Sequence, residues 1–106
     1  MTSKVLKTKK SKTIIPRSSD YTKEFRKDWV SLERSGRYDM SRLKAVMMAL
    51  IANDGPLDPS RRDHLLTGDW SDHRECHIGG DFLLIYQATD REVIFVRTGT
   101  HSELFE

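Results

Sequence analysis

Four histidines, His64, His73, His77 and His101, all fall in the second half of the chain, among Asp81, Arg74, Arg91 and Arg97. Histidine gives and takes protons near neutral pH. Arginine offers a planar fork of donors to a phosphate. Cleavage of an RNA strand by its own 2′-hydroxyl needs both kinds of group and no metal. A base must remove the 2′-OH proton, an acid must protonate the leaving 5′-oxygen, and a cation must meet the charge that builds on phosphorus. Metal chemistry is poorly supplied. His73 and His77 lie four apart, yet no HExxH, second cysteine or paired acidic ligand accompanies them. No Gly-rich phosphate loop is present, and Gly79-Gly80 reads as a turn. The single cysteine, Cys76, reads as a packed strand residue and excludes a disulfide framework. On composition alone, four scattered histidines are more often surface or structural residues than catalytic ones.

The elements that would hold these residues are legible from periodicity. The β-branched run Thr13-Ile14-Ile15, stopped by Pro16, suits an edge strand. Ser18, Ser19 and Asp20 offer N-caps for a helix with the stripe Tyr21, Phe25, Trp29 and Leu32, ending near Gly36. Asp39 or Ser41 caps a second helix, whose apolar positions Leu43, Val46, Met47, Leu50 and Ile51 keep one face. Asn53-Asp54-Gly55-Pro56 ends it. A long polar connection follows over 57–72, of the kind that often carries function. Three strands are expected, over 73–78, 82–89 and 92–98, joined by turns at Gly79-Gly80 and Thr89-Asp90-Arg91. Strict alternation places Glu75 with His73 and His77 on one face, and Arg97 on the face of Phe95 and Val93. The order β-α-α-β-β-β is an α+β domain, with two helices on one face of an antiparallel sheet and the other face open.

At 106 residues the chain fits one domain, with residues 1–11 as a flexible Lys-rich tail and 12–106 as the folded unit. The net charge of +2 divides unevenly. Five lysines and no acid fall in the first twelve residues, leaving the remaining 94 with a net of −3. The body therefore has no general excess of positive charge with which to hold a polyanion. The longest mostly apolar run, 45–52, is far too short to span a membrane, and lysines stand where a signal peptide would need an apolar stretch. A cytoplasmic protein is expected.

Read as strings, D63-HLLTGDW, R74-ECH, D81-FLLIY and the ending R97-TGTHSELF resemble the YafQ branch of the RelE-type toxins of bacteria. The ending is the most specific part, because the branch closes on an RTGTH-x-x-LF pattern. The likeness runs from about Thr13 to the C-terminus. It implies a RelE-like microbial ribonuclease fold, with two N-terminal helices on an antiparallel sheet of three to four strands. It implies the toxin of a type II toxin–antitoxin pair, an mRNA interferase that cleaves mRNA in the ribosomal A site with no cofactor and no metal. The family's catalytic set falls on His64, His77, Asp81, Arg97 and His101. His101 is then the general acid and Arg97 the phosphate clamp; His77 and Asp81 compete for the base, and His64 holds substrate or shares proton transfer. Phe82, Phe105, Arg61, Arg62 and Arg74 are the expected substrate contacts, with Phe82 standing where the branch often has Trp.

The implied partners are a cognate antitoxin, acidic and partly disordered, the 70S ribosome with its mRNA, and operator DNA through the antitoxin complex only. No membrane partner is expected. The antitoxin is expected on the helices and basic surface, leaving part of the histidine cluster open. Two other readings remain beside the ribosome-dependent nuclease: a non-catalytic RNA- or protein-binding module of the same fold, and a nuclease that needs no ribosome.

Overall fold

A computed structural model describes residues 14–106; the Lys-rich tail and Thr13 lie outside the described residues. The edge strand expected around Ile14 and Ile15 forms later, at β1 (Ser18–Tyr21). Pro16 has no N–H to give a ladder. Arg17 instead donates its backbone N–H to the Ile51 carbonyl at 2.7 Å, and the ladder opens with Ser18 N–H on Arg91 O at 2.9 Å. Ser18, Ser19 and Asp20 are therefore strand residues rather than helix caps. Thr22 caps α1 (Lys23–Ser35), its hydroxyl accepting from Phe25 N–H at 3.0 Å. Gly36, at φ 69°, ends the helix in the left-handed conformation glycine tolerates. Asp39 caps α2 (Met40–Ala52), which ends at Asn53.

The connection over 57–72 is not structureless. It holds a 3₁₀ turn at Pro59–Arg61, a two-residue strand β2 (His64–Leu65) and a second 3₁₀ turn at Gly68–Trp70. Strands β3 (Arg74–Gly79), β4 (Phe82–Ala88) and β5 (Glu92–Thr100) follow, and a short helix α3 (His101–Phe105) closes the chain. The sheet has five strands, not three to four, in the order β1-β5-β4-β3-β2. It is mixed rather than antiparallel, because β1 runs parallel to β5. The α+β class holds.

The two faces carry separate cores. On the helix side, Cys76, Ile78, Phe82, Leu84, Tyr86, Val93 and Phe95 pack against Phe25, Leu32, Leu43, Val46 and Leu50. On the other side, Leu83, Ile85 and Leu104 are buried with Leu66, Trp70, Val96 and Phe105 against them. That face was expected open; α3 and the second 3₁₀ turn cover its middle. Among the described residues no helix is long and apolar enough to cross a membrane.

One irregularity decides where Arg97 points. Ile85 pairs with Arg97 and Tyr86 with Phe95, so Val96 is an extra residue in β5. Such a bulge breaks strict alternation. Arg97 therefore shares a face with Ile85, not with Phe95 and Val93 as expected.

The turn into α3 is equally constrained. Thr100 N–H donates to Glu103 Oε1 at 2.8 Å, and Thr100 Oγ1 accepts from Glu103 N–H at 3.3 Å, a complete capping box. Gly99 precedes it at φ 155°, where an added Cβ would lie 2.9 Å from Glu103 Oε1. Gly99→Ala is expected to lower the urea-unfolding stability by roughly 1–3 kcal/mol. A variant as stable as the parent would contradict this fit.

Candidate active site

The register of the sheet sets the site. His64 pairs with Glu75, Glu75 with Ile85, and Ile85 with Arg97, one row across four strands. The next row on the same face runs His77, Leu83, Gly99. Directly paired residues present their side chains on one face, so the two histidines share the side opposite the long helices, and Arg97 ends the first row at the β5 edge, where its guanidinium turns to Asp28 of α1.

Glu75 lies between the histidines and is the residue that the sequence reading did not assign. Its side chain is 8% exposed, with Oε1 3.4 Å from His64 Nε2 and 3.8 Å from His77 Nε2. His64 Nδ1 lies 2.7 Å from the Arg62 carbonyl, which accepts only if Nδ1 carries hydrogen. Glu75 is placed to orient the His64 ring from its Nε2 side, as the Arg62 carbonyl does from Nδ1. Alternation had put Glu75 and His77 on one face; nothing in the string showed that the carboxylate would be buried.

His64 is placed by its neighbour. Asp63 points to the helix side, where it accepts from the Tyr86 hydroxyl and pairs with Arg74 Nη2 at 3.3 Å. Burial and this carboxylate push the Tyr86 hydroxyl well above its ordinary range. With Asp63 fixed on one side of β2, His64 is turned to the other. Arg61 seats the loop by donating from Nη1 to the Ile78 carbonyl at 2.7 Å.

Arg97 is met by Asp28 of α1, a second carboxylate not singled out from the sequence. Nε donates to Oδ2 at 2.7 Å and Nη2 to Oδ1 at 3.1 Å. Hydrogen bonding to Asp28 raises the guanidinium further above its already high range, so it stays charged. At the far end of the sheet, Asp81 is exposed in the β3–β4 turn, just before Phe82, and Phe82 pairs with Thr100, which precedes His101. His101 is exposed at the start of α3, its ring 4.9 Å from that of Phe105. Phe105 in turn sits edge-on to Trp70 at 6.0 Å.

Other expected residues are elsewhere. Phe82 is 5% exposed in the helix-side core, against Tyr38 at 5.1 Å, so it offers no stacking surface to a base. Arg74 lies on the helix side with its charge answered by Asp63, and Arg61 is engaged with strand carbonyls. Arg62 is exposed beside His64. His73 precedes β3 rather than lying in it, its ring edge-on to Trp70 at 5.2 Å. Cys76 is buried, and its thiol is pushed up to about 12 by burial, far from a nucleophile's range. Among the described residues no group of three or more His, Cys, Asp or Glu side chains is arranged to hold a metal ion.

Residues 17–106 match the sequence family described as the YafQ toxin of bacterial type II toxin–antitoxin systems. The chain belongs to the YafQ family. It is 41% identical over 92 residues to the mRNA interferase toxin YafQ of Escherichia coli K12, covering 87% of this chain and 99% of that one. Its fold matches the toxin in the crystal structure of the E. coli DinJ–YafQ toxin–antitoxin complex, with a TM-score of 0.77, 41% identity, and 87% and 100% of the two chains covered. A metal-bound toxin from Helicobacter pylori matches at a TM-score of 0.72 and 37% identity, covering 84% and 99%. The likeness spans the whole described YafQ domain, so both rows of the sheet fall inside it.

Within this YafQ toxin, the burial of Glu75 carries a stability consequence. Replacing both His64 and His77 with alanine leaves a buried carboxylate without the two imidazoles that approach it. Urea unfolding is expected to show a loss of roughly 1–3 kcal/mol. Adding Glu75→Leu to that double variant is expected to recover most of it. A double variant with unchanged stability would contradict the placement of Glu75.

Proposed function

We propose that this toxin, an mRNA interferase of the YafQ family, cuts mRNA in the ribosomal A site by attack of the RNA's own 2′-hydroxyl. The observation that carries the reading is the gathering of His64 and His77 around Glu75, on the sheet face that ends at Arg97 on its β5 edge. Asp81 and His101 stand at one end of that face.

The chemistry balances with these groups. His77 or Asp81 takes the 2′-OH proton, the 2′-oxygen bonds to phosphorus, and the bond from phosphorus to the 5′-oxygen breaks. His101 gives its proton to that oxygen. Arg97 answers the charge on the phosphorane oxygens, and His64, held by Glu75, contacts the RNA or relays a proton. Phe105, beside His101, offers a ring on which a base can stack. Arg62 is free to meet a phosphate; Arg61, Arg74 and Phe82 are committed to the fold and take no part.

The charge distribution supports a ribosomal substrate. Beyond the first twelve residues the chain carries a net of −3, a weak grip on a free polyanion. A ribosome supplies the mRNA already held and oriented, which is a large part of the barrier to reaction. The same reading places the protein in the cytoplasm, with a cognate antitoxin as its inhibitor. The E. coli relative is seen with its antitoxin DinJ. An acidic, partly disordered partner that folds on binding would cover a small toxin widely, and the complex would contact operator DNA.

No metal ion acts in the proposed chemical step. The test is single-turnover cleavage on pre-assembled ribosome–mRNA complexes, at fixed Mg²⁺ and with transition metals removed by a chelator. The parent toxin is expected to cut at the same rate with or without added Zn²⁺ or Mn²⁺. His101→Ala is expected to cut about a hundredfold more slowly or less, with an unchanged melting temperature. A normal rate for His101→Ala, or a requirement for added Zn²⁺ or Mn²⁺, would overturn the mechanism.

A further inference from the structure

Beside Arg97, β5 has an unusual edge. Strand β1 pairs along it only as far as Phe95, so residues 96–100 have no strand on that side. The start of α1 covers the gap. Thr22 donates its N–H to the Phe95 carbonyl at 3.0 Å and its hydroxyl to the Val96 carbonyl at 2.7 Å. The first six residues of α1 then run past the edge, and Asp28 meets it. Asp28 Oδ2 accepts the Thr98 backbone N–H at 3.1 Å and the Arg97 Nε–H at 2.7 Å, while Oδ1 accepts from Nη2 at 3.1 Å.

This geometry fixes both ends of the contact. The carboxylate cannot swing with the arginine, because the backbone of the strand holds it. The guanidinium is gripped along its Nε–Nη2 edge. An arginine has five N–H donors in one plane. Two are spent on Asp28, and both hydrogens of Nη1 with the second of Nη2 remain. The Arg97 side chain is 29% exposed against 16% for Asp28, so the free edge can be reached from outside.

We propose that Asp28 is a positioning residue, locking Arg97 side-on so that its Nη1–Nη2 edge is presented to the scissile phosphate. The proposal rests on the reading of Arg97 as the group that meets that phosphate. A long side chain frozen before substrate arrives loses little freedom when the phosphorane forms. The competing role for Asp28 is the opposite one: a carboxylate that neutralises Arg97 and has to be displaced by RNA.

The test compares Asp28→Ala, Asp28→Asn, Arg97→Ala and the double variant Asp28→Ala/Arg97→Ala in single-turnover cleavage of pre-assembled ribosome–mRNA complexes. Exchange of the Arg97 Nε–H is followed by NMR in the free toxin. Asp28→Asn keeps an oxygen for the Thr98 N–H, so it guards against loss of fold, which melting temperature checks. Each single variant is expected to lower the maximal rate about tenfold or more, with half-saturation moved much less. The double variant is expected to be no slower than Arg97→Ala alone. The Arg97 Nε–H is expected to exchange slowly in the parent and fast in both Asp28 variants. Cleavage by folded Asp28 variants at or above the parental rate, with Arg97→Ala impaired, would overturn the positioning role and support displacement. Normal cleavage by Arg97→Ala would overturn the reading of the site itself, and this proposal with it.

Discussion

A carboxylate buried on a sheet face has to be answered by donors or it costs the fold several kcal/mol. Glu75 is that carboxylate here, and His64 and His77 approach it at 3.4 and 3.8 Å. The requirement reaches well beyond three side chains. His64 can reach Glu75 only if the connection after α2 returns to pair with β3, and that return is held by Arg61 on the Ile78 carbonyl and by Asp63 beneath Arg74 and Tyr86. The row begun at His64 then continues through Ile85 to Arg97.

The same logic repeats along the site. Several basic groups stand beside an acid: His64 and His77 beside Glu75, Arg97 beside Asp28, and Arg74, on the helix side, beside Asp63. These acids account for part of the negative balance of the body. They hold the basic side chains in place. Between the flanks, the apolar cap of Leu104, Phe105, Trp70 and Leu66 over Leu83 and Ile85 fixes the distance from the β2–β3 histidines to α3. Asp81 and His101 close that end of the face without being buried by it.

Both long helices were legible, because Phe25, Leu32, Leu43, Val46 and Leu50 recur at helical spacing and all are buried. Strands β3 to β5 were legible from alternation and turn residues. The losses have physical causes. Ser18–Tyr21 is exposed throughout and rich in capping residues, so its parallel pairing with β5 left no local pattern. Two residues suffice for β2, too few for a period. The extra residue at Val96 moved Arg97 to the other face, and a bulge of this kind carries no signal without a glycine. The resemblance supplied His64, His77, Asp81, Arg97 and His101; the register puts His64 and His77 on the face opposite the long helices, Arg97 at its β5 edge beside Asp28, and Asp81 and His101 near its end. Phe82 and Arg74 did not follow, because residue type says nothing about which face a strand position occupies. Glu75 and Asp28 read as solvated charges, and only tertiary contacts give them partners.

The most direct measurement is a structure of the toxin on a ribosome with mRNA made uncleavable by a 2′-O-methyl group at the target nucleotide. The scissile phosphate is expected within hydrogen-bonding distance of the free edge of Arg97, with the 5′-oxygen towards His101 and the blocked 2′-oxygen towards His77 or Asp81. RNA seated instead on the helix side, against α1 and α2 or on Arg74, would contradict it.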